Sequence, residues 1–257
     1  MGTMAITSDN WFTSLNPGPN RSLRLFCFPY AGGGQHIFRA WPSGLPGDVE
    51  IYTAQLPGRG RRLKEKAFND LTPMVKAVGE AIVPLLDMPF AFFGHSMGAI
   101  ISFELTRYLR KKYNILPVHL LVSGRRGPQL PSTEPTSYDL PEPQFYQRLR
   151  ALNGTPAEVL EHPELMELML PLLRADFSVV ETYVYAPGAS LDCPITAFGG
   201  EQDYKVGREL IETWREQTTS TFTMRILPGD HFFLNTSRPH LLRLISQELR
   251  QKAQAVT

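Results

Sequence analysis

The sequence is short of cysteine, of net charge and of long apolar runs, and each shortage removes a class of protein. Two cysteines, Cys27 and Cys193, among 257 residues cannot build a disulfide framework or a cysteine-rich zinc site. Both stand in apolar, strand-like stretches, which predicts buried free thiols. Lys and Arg number 26 against 25 Asp and Glu, a net charge of +1, so no overall field is present to hold nucleic acid or an anionic membrane. No apolar run approaches the roughly 18 residues that span a bilayer. The stretch Met1 to Trp11 lacks the basic and apolar regions of a secretory signal. Ile6 stands where the myristoylation pattern opened by Met1-Gly2 requires Ser or Thr. A cytoplasmic protein is the expectation. Internal repeats and low-complexity tracts are missing too. The remainder, 42% hydrophobic and 20% charged, is ordinary globular composition, long enough for one large α/β domain or two small ones.

What is present is an alternation. Leu25 to Phe28, Ile51 to Gln55, Phe90 to Gly94, Leu120 to Ser123, Ile195 to Gly199 and Phe222 to Leu227 read as strands. Several are apolar almost throughout, as strands covered on both faces of a parallel sheet should be. Between them, Thr72-Pro73 predicts an N-cap with Pro at the first helical position, followed by Val75, Val78, Ile82 and Leu85 at helical spacing. A second helix is expected from Met97 to about Lys112, its last turn carrying Arg110, Lys111 and Lys112 at the negative end of the helix dipole. Strand and helix in repetition predict a mostly parallel α/β sheet flanked by helices. One segment breaks the rhythm: residues 127–185 show no strand, only a Pro-rich loop and Leu- and Met-rich helical stretches. Nearly sixty residues exceed a simple crossover, so a helical cap inserted into a single domain is expected there.

The segment Gly94-His-Ser96-Met-Gly98 is a G-x-S-x-G at a predicted strand-to-helix junction. The pattern alone arises by chance in roughly one chain in ten of this length; its position makes it informative. Small residues two positions either side of Ser96 let strand and helix approach closely, and the turn puts Ser96 at the positive end of a helix. A serine nucleophile needs a base, and the base an orienting carboxylate. His95 is in the tight turn and should point away into packing, while His36, His119, His162 and His240 have no special surroundings. His231 follows the last strand and the turn Pro228-Gly229-Asp230, at the sheet edge where α/β folds bind ligands, and is the expected base. Asp203 follows the strand ending at Gly199 and is the expected acid. Glu201, two residues earlier, is its rival, and Asp230 is too close in sequence to His231 to bond its imidazole. The order Ser96, Asp203, His231 is that of an α/β-hydrolase. For an oxyanion hole, the Met97 N–H follows the nucleophile. Phe28-Pro-Tyr-Ala-Gly-Gly-Gly34 supplies the second donor, Ala31 N–H or else Tyr30 N–H. That glycine run lacks the G-K-[ST] and G-x-G-x-x-G spacings of phosphate cradles.

Taken together, Phe28-Pro-Tyr-Ala-Gly-Gly, Gln55-Leu-Pro-Gly-Arg59, Phe93-Gly-His-Ser-Met-Gly98, Val122-Ser-Gly-Arg-Arg126, Leu173-Arg-Ala-Asp-Phe177 and Asp230-His-Phe-Phe-Leu234 resemble the marks of type II thioesterases. These are the free-standing editing enzymes of polyketide and nonribosomal peptide synthesis. The animal medium-chain thioesterases of fatty-acid synthesis are relatives. The resemblance runs from about Leu25 to the last helix. It implies an α/β-hydrolase with a helical lid, corresponding to 127–185. By position it implies Ser96 as nucleophile, His231 as base, Asp203 as acid, and Ala31 and Met97 as oxyanion donors. It implies an acyl group on the phosphopantetheine arm of a carrier protein as substrate, and neither metal nor organic cofactor.

Because carrier proteins are commonly acidic, the basic run Arg59, Arg61, Arg62, Lys64, Lys66 is a candidate docking surface, with a plain solvated loop as the alternative reading; Arg125 and Arg126 are a further basic pair, after another strand end near the sheet edge. A monomer that binds neither nucleic acid nor membrane is expected. Release of a medium-chain fatty acyl product, a general carboxylesterase or lipase on the same fold, and an inactive hydrolase fold used for binding are the competing functions.

Overall fold

The computed structural model describes residues 8–154 and 157–253. The amino-terminal expectations that rest on residues 1–7, and positions 155 and 156 of the expected insertion, lie outside the described residues. The seven strands are β1 (Phe12–Ser14), β2 (Leu23–Phe28), β3 (Val49–Ala54), β4 (Phe90–His95), β5 (His119–Ser123), β6 (Ile195–Gly200) and β7 (Phe222–Leu227). They form one sheet in the order β1-β3-β2-β4-β5-β6-β7. Only β1 runs antiparallel, against β3; the other pairs are parallel. Each of the six expected strands is present, with ends within two residues of those expected. β1 leaves no sign in the sequence, because Phe-Thr-Ser is too short to show a period and is ordered by its ladder to β3.

The helices are α1 (Ser8–Trp11), α2 (Leu71–Ile82), α3 (Met97–Tyr113), α4 (Glu142–Leu152), α5 (Ala157–Leu160), α6 (Pro163–Glu181), α7 (Arg208–Glu212), α8 (Phe233–Thr236) and α9 (Arg238–Ala253). The cap of α2 corrects the sequence reading. Asp70, not Thr72, is the capping residue, and its carboxylate accepts the Thr72 N–H at 2.7 Å. Pro73 therefore sits third in the helix, still within the first turn, where no intrahelical donor is needed. Between Gly127 and Tyr185 there are helices α4, α5 and α6 and, among the described residues, no strand.

Alternation along the strands divides the core in two. Phe26, Phe28, Phe92, Leu120 and Ala197 pack on one face with Val75 and Val78 of α2 and Ile101 and Leu105 of α3. Leu25, Cys27, Phe93, Leu121 and Phe198 pack on the other with Leu241, Leu242 and Ile245 of α9. All six residues of β4 are buried, which explains why its sequence shows no polar alternation. Both cysteines are free and buried; burial pushes the Cys193 thiol up to about 12. A smaller cluster, Phe145, Leu149, Met166 and Leu173, joins α4 to α6.

Candidate active site

The parallel register brings the carboxyl ends of five strands to one edge. Phe28 lies beside Gly94, His95 beside Ser123, Ser123 beside Phe198, and Gly200 beside Leu227. Loops leaving those ends line a cavity of about 190 Å³. Tyr30 and Ala31 come from the loop after β2, Ser96 from the turn after β4, and Arg125 and Arg126 from the end of β5. Asp203 follows β6, and His231 and Phe232 follow β7. Leu149 and Leu152 of α4, with Leu173, Phe177 and Val180 of α6, supply apolar wall.

Ser96 occupies the corner between β4 and α3 at φ 55° and ψ −107°, outside the regions that L-residues favour. The glycines around it are required by close approach. A Cβ on Gly94 would overlap the Gly98 carbonyl oxygen, and one on Gly98 would overlap that of Phe28. The turn is tied to its neighbour strand, as Ser96 N–H donates to the Ser123 carbonyl at 2.8 Å. Ser96 thus stands at the positive end of a 17-residue helix, where a developing negative charge is stabilised.

His231 Nδ1 and Asp203 Oδ2 are 2.6 Å apart. The other oxygen, Oδ1, accepts the backbone N–H groups of Lys205 (3.0 Å) and Val206 (3.1 Å). Burial works to raise this carboxyl, but the bond to His231, its charge and the two backbone donors prevail, and Asp203 is held below the usual aspartate value. An ionised Asp203 accepts the hydrogen bond that His231 donates from Nδ1–H, which assigns the tautomer and leaves Nε2 as an acceptor. The rival carboxylates are elsewhere. Glu201 is exposed and meets Gln202, and Asp230 accepts the Phe232 N–H at 2.8 Å.

His95 lies behind the site with its ring 5.2 Å from that of His231. Its Nδ1 is 2.9 Å from Ser123 Oγ. Complete burial, then the proximity of His231, pulls it well below the ordinary histidine value, so His231 packs against a neutral ring.

The glycine loop after β2 is braced from a distance. Gly33 N–H closes a turn on the Tyr30 carbonyl at 2.9 Å, and Gly32 (φ 76°) donates its N–H to Asp176 Oδ2 at 2.7 Å. Asp176, in α6, is fully buried and receives both Nη atoms of Arg59 at 2.9 and 2.7 Å. Arg59 also donates to the Gly33 carbonyl at 2.9 Å. This corrects the reading of the basic run. Arg59 is 8% exposed and both its Nη groups are engaged inside the protein. Arg62 is largely turned inward as well, over the Trp11 ring at 4.0 Å and onto the Gln55 carbonyl at 2.9 Å. Arg61, Lys64 and Lys66 are exposed. Asp176 itself received no role from the sequence. Its position on the apolar stripe of α6, in register with Leu172 and Val179, was the available signal, since an acid there must be paired.

Among the described residues no group of three or more His, Cys, Asp or Glu could hold a metal, and no helix is long and apolar enough to cross a membrane.

Comparison with known proteins gives a consistent set. A family model described as a thioesterase domain matches residues 23–249. The gramicidin S biosynthesis protein GrsT of Aneurinibacillus migulanus is 48% identical, covering 94% of each chain. The medium-chain S-acyl fatty acid synthase thioesterase of Rattus norvegicus is 35% identical over 86% of this chain and 84% of its own. Among solved structures, the type II thioesterase BorB from the borrelidin biosynthetic cluster superposes with a TM-score of 0.86 at 33% identity, covering 94% of this chain and 98% of its own.

Proposed function

The chain belongs to the thioesterase family of α/β-hydrolases, and from that premise we propose that it is a serine thioesterase clearing acyl groups from the phosphopantetheine arm of carrier proteins. The observation that carries the mechanism is the 2.6 Å His231–Asp203 bond on a cavity that Ser96 also lines. Ser96 Oγ attacks the thioester carbonyl while His231 Nε2 takes its proton, and Asp203 stabilises the imidazolium. The Ala31 and Met97 N–H groups receive the oxyanion. Collapse breaks the C–S bond, and the leaving thiolate takes the proton from His231, leaving acyl-Ser96. Water, deprotonated by His231, then attacks the ester, and collapse returns the proton to Ser96 and frees the acid. A thioester is already activated, so these steps call on no cofactor.

Helices α4 to α6, within 127–185, serve in this reading as the lid, supported by the apolar residues they contribute to the cavity wall. Editing of stalled units is favoured by the likeness to GrsT and BorB. Release of a finished medium-chain product is the second reading, favoured by the likeness to the rat enzyme. An acidic carrier is supported by the exposed cations Arg61, Lys64 and Lys66.

Hydrolysis of acetyl-, propionyl-, octanoyl- and decanoyl-carrier protein, each beside its N-acetylcysteamine thioester, tests the set. Ser96→Ala should lower kcat by about 10⁴-fold or more, and acyl-enzyme should be found on Ser96 by mass spectrometry. Full activity in Ser96→Ala would remove the mechanism. Preference for short units selects editing, and preference for long ones selects product release. Arg61→Glu should weaken only the carrier-bound substrates; equal weakening of both kinds would remove the docking role.

A further inference from the structure

The cavity that holds Ser96 and His231 also carries charge that the acyl-transfer steps leave unused. Arg125 and Arg126 follow β5 after Gly124, and both line it. The backbone there is fixed: Gly124 N–H donates to the Phe198 carbonyl at 2.9 Å, and Trp214 Nε1–H to the Arg125 carbonyl at 2.7 Å. The acids on the same wall are already committed. Glu134 pairs with Arg148 and with Lys205. Glu181 accepts the Ser137 hydroxyl and the backbone N–H groups of Ser137 and Tyr138. Asp203 holds His231. Among the described residues, no salt bridge within 4 Å includes Arg125 or Arg126; Glu134 attracts Arg125 only at longer range, its contacts being with Arg148 and Lys205. Burial, then repulsion from Arg126, draws the Arg125 guanidinium down to about 10, the expected result of a cation held in a recess beside another cation. It remains charged at neutral pH. Two guanidinium forks with donors unspent in a half-buried cavity match the planar, charged oxygens of a carboxylate or phosphate. The pair is also near the reaction, because Ser123, two residues before Arg125, accepts the Ser96 N–H.

We propose that Arg125 and Arg126 form an anion subsite of the active-site cavity that binds an oxoanion carried by the substrate. The subsite rests on the thioesterase reading above. Two parts of such a substrate carry the required chemistry, a carboxylate at the far end of the acyl group and the phosphodiester of the pantetheine arm.

The test compares matched pairs. Butyryl- and succinyl-N-acetylcysteamine differ by one carboxylate, and butyryl-pantetheine and butyryl-4′-phosphopantetheine differ by one phosphate. Arg125→Gln and Arg126→Gln should each lower the anionic-to-neutral ratio of kcat/KM about ten-fold in one of these pairs, the effect of one charge-assisted hydrogen bond. Arg125→Lys should restore part of the ratio. A change confined to the succinyl pair assigns the carboxylate, and one confined to the phosphopantetheine pair assigns the phosphate. Unchanged ratios in both pairs overturn the subsite. Wild-type protein gives an independent check that no folding defect can mimic. Either succinamate should inhibit butyryl-N-acetylcysteamine hydrolysis about ten-fold more strongly than butyramide, from which it differs by one carboxylate, or phosphopantetheine more strongly than pantetheine; no preference in either comparison overturns the proposal. If wild-type protein cleaves no thioester, the thioesterase reading fails by itself. The ratio for p-nitrophenyl hemisuccinate against p-nitrophenyl butyrate then still reports on the subsite.

Discussion

Ser96 holds a backbone conformation that costs of order 1–3 kcal/mol, and the residues around it leave it no alternative. Its N–H is committed to Ser123, and its side-chain direction follows from the corner where β4 ends and α3 begins. Gly98 is the most exposed to test. A methyl group there would meet backbone atoms of Phe28 and Pro29 rather than a side chain that could swing aside. Relief therefore requires α3 and the loop after β2 to separate, moving Met97 N–H away from Ala31 N–H. Gly98→Ala should lose about 3 kcal/mol or more and, where soluble, lose kcat as well. Urea unfolding with parallel kinetics measures both, and wild-type stability in this variant would show that the contact is not tight.

At the scale of elements, α6 belongs to two packing units and to the glycine loop. Leu173 joins the small cluster with α4, Val179 joins the main core, and Asp176 grips Gly32 and Arg59. The ion pair is almost wholly buried, with side-chain exposures of 8% and 0%. Breaking it from one side leaves a desolvated guanidinium, which costs about 3–5 kcal/mol. Asp176→Asn should therefore lose stability on that scale and depress kcat more than it raises KM, since the glycine loop loses its anchor. Replacing both members, Arg59→Met with Asp176→Asn, should recover much of the stability without recovering kcat. A double variant no more stable than the single one, in urea unfolding, would show that the unpaired charge is not the source of the loss.

Across the whole molecule the near-zero net charge is an average over local pairings that set acid stability. Burial raises both Asp203 and Glu134. In each the hydrogen-bonded cation or histidine outweighs it, so both lie below their ordinary values of 3.8 and 4.5. A carboxyl depressed on folding adds stability that is fully present above its unfolded value and is lost as pH falls through the folded one. The melting temperature should begin to fall below about pH 6.5, because the unfolded chain then binds a proton that the buried His95 ring refuses, and should fall more steeply below about 4 as Asp203 and Glu134 protonate. Thermal unfolding across that range measures it, and a melting temperature that rises below pH 4 would reverse the assigned signs.

The sequence by itself determined the sheet and its order of loops. Parallel strands covered on both faces must be nearly continuously apolar, and of the six strand-like runs visible without any contact being known several have that character, whereas β7 keeps Thr223 and Arg225 and is mostly only partly buried. It also determined the corner at Ser96, because only glycine fits where a carbonyl stands against a missing Cβ at positions 94 and 98. These features are written within a few residues of one another. Tertiary structure decided β1, which exists only through its ladder to β3, and the cap at Asp70, which depends on where the chain enters α2. It decided most of all what the charges do. Arg59 reads as a surface cation in its own basic neighbourhood, yet it meets Asp176 at a separation of 117 residues. Arg125 and Arg126 read like any pair at a strand end until the cavity acids are seen to be taken by other partners. Local sterics and periodicity travel with the sequence, whereas burial and the choice of ionic partner arise only when distant segments close on one another.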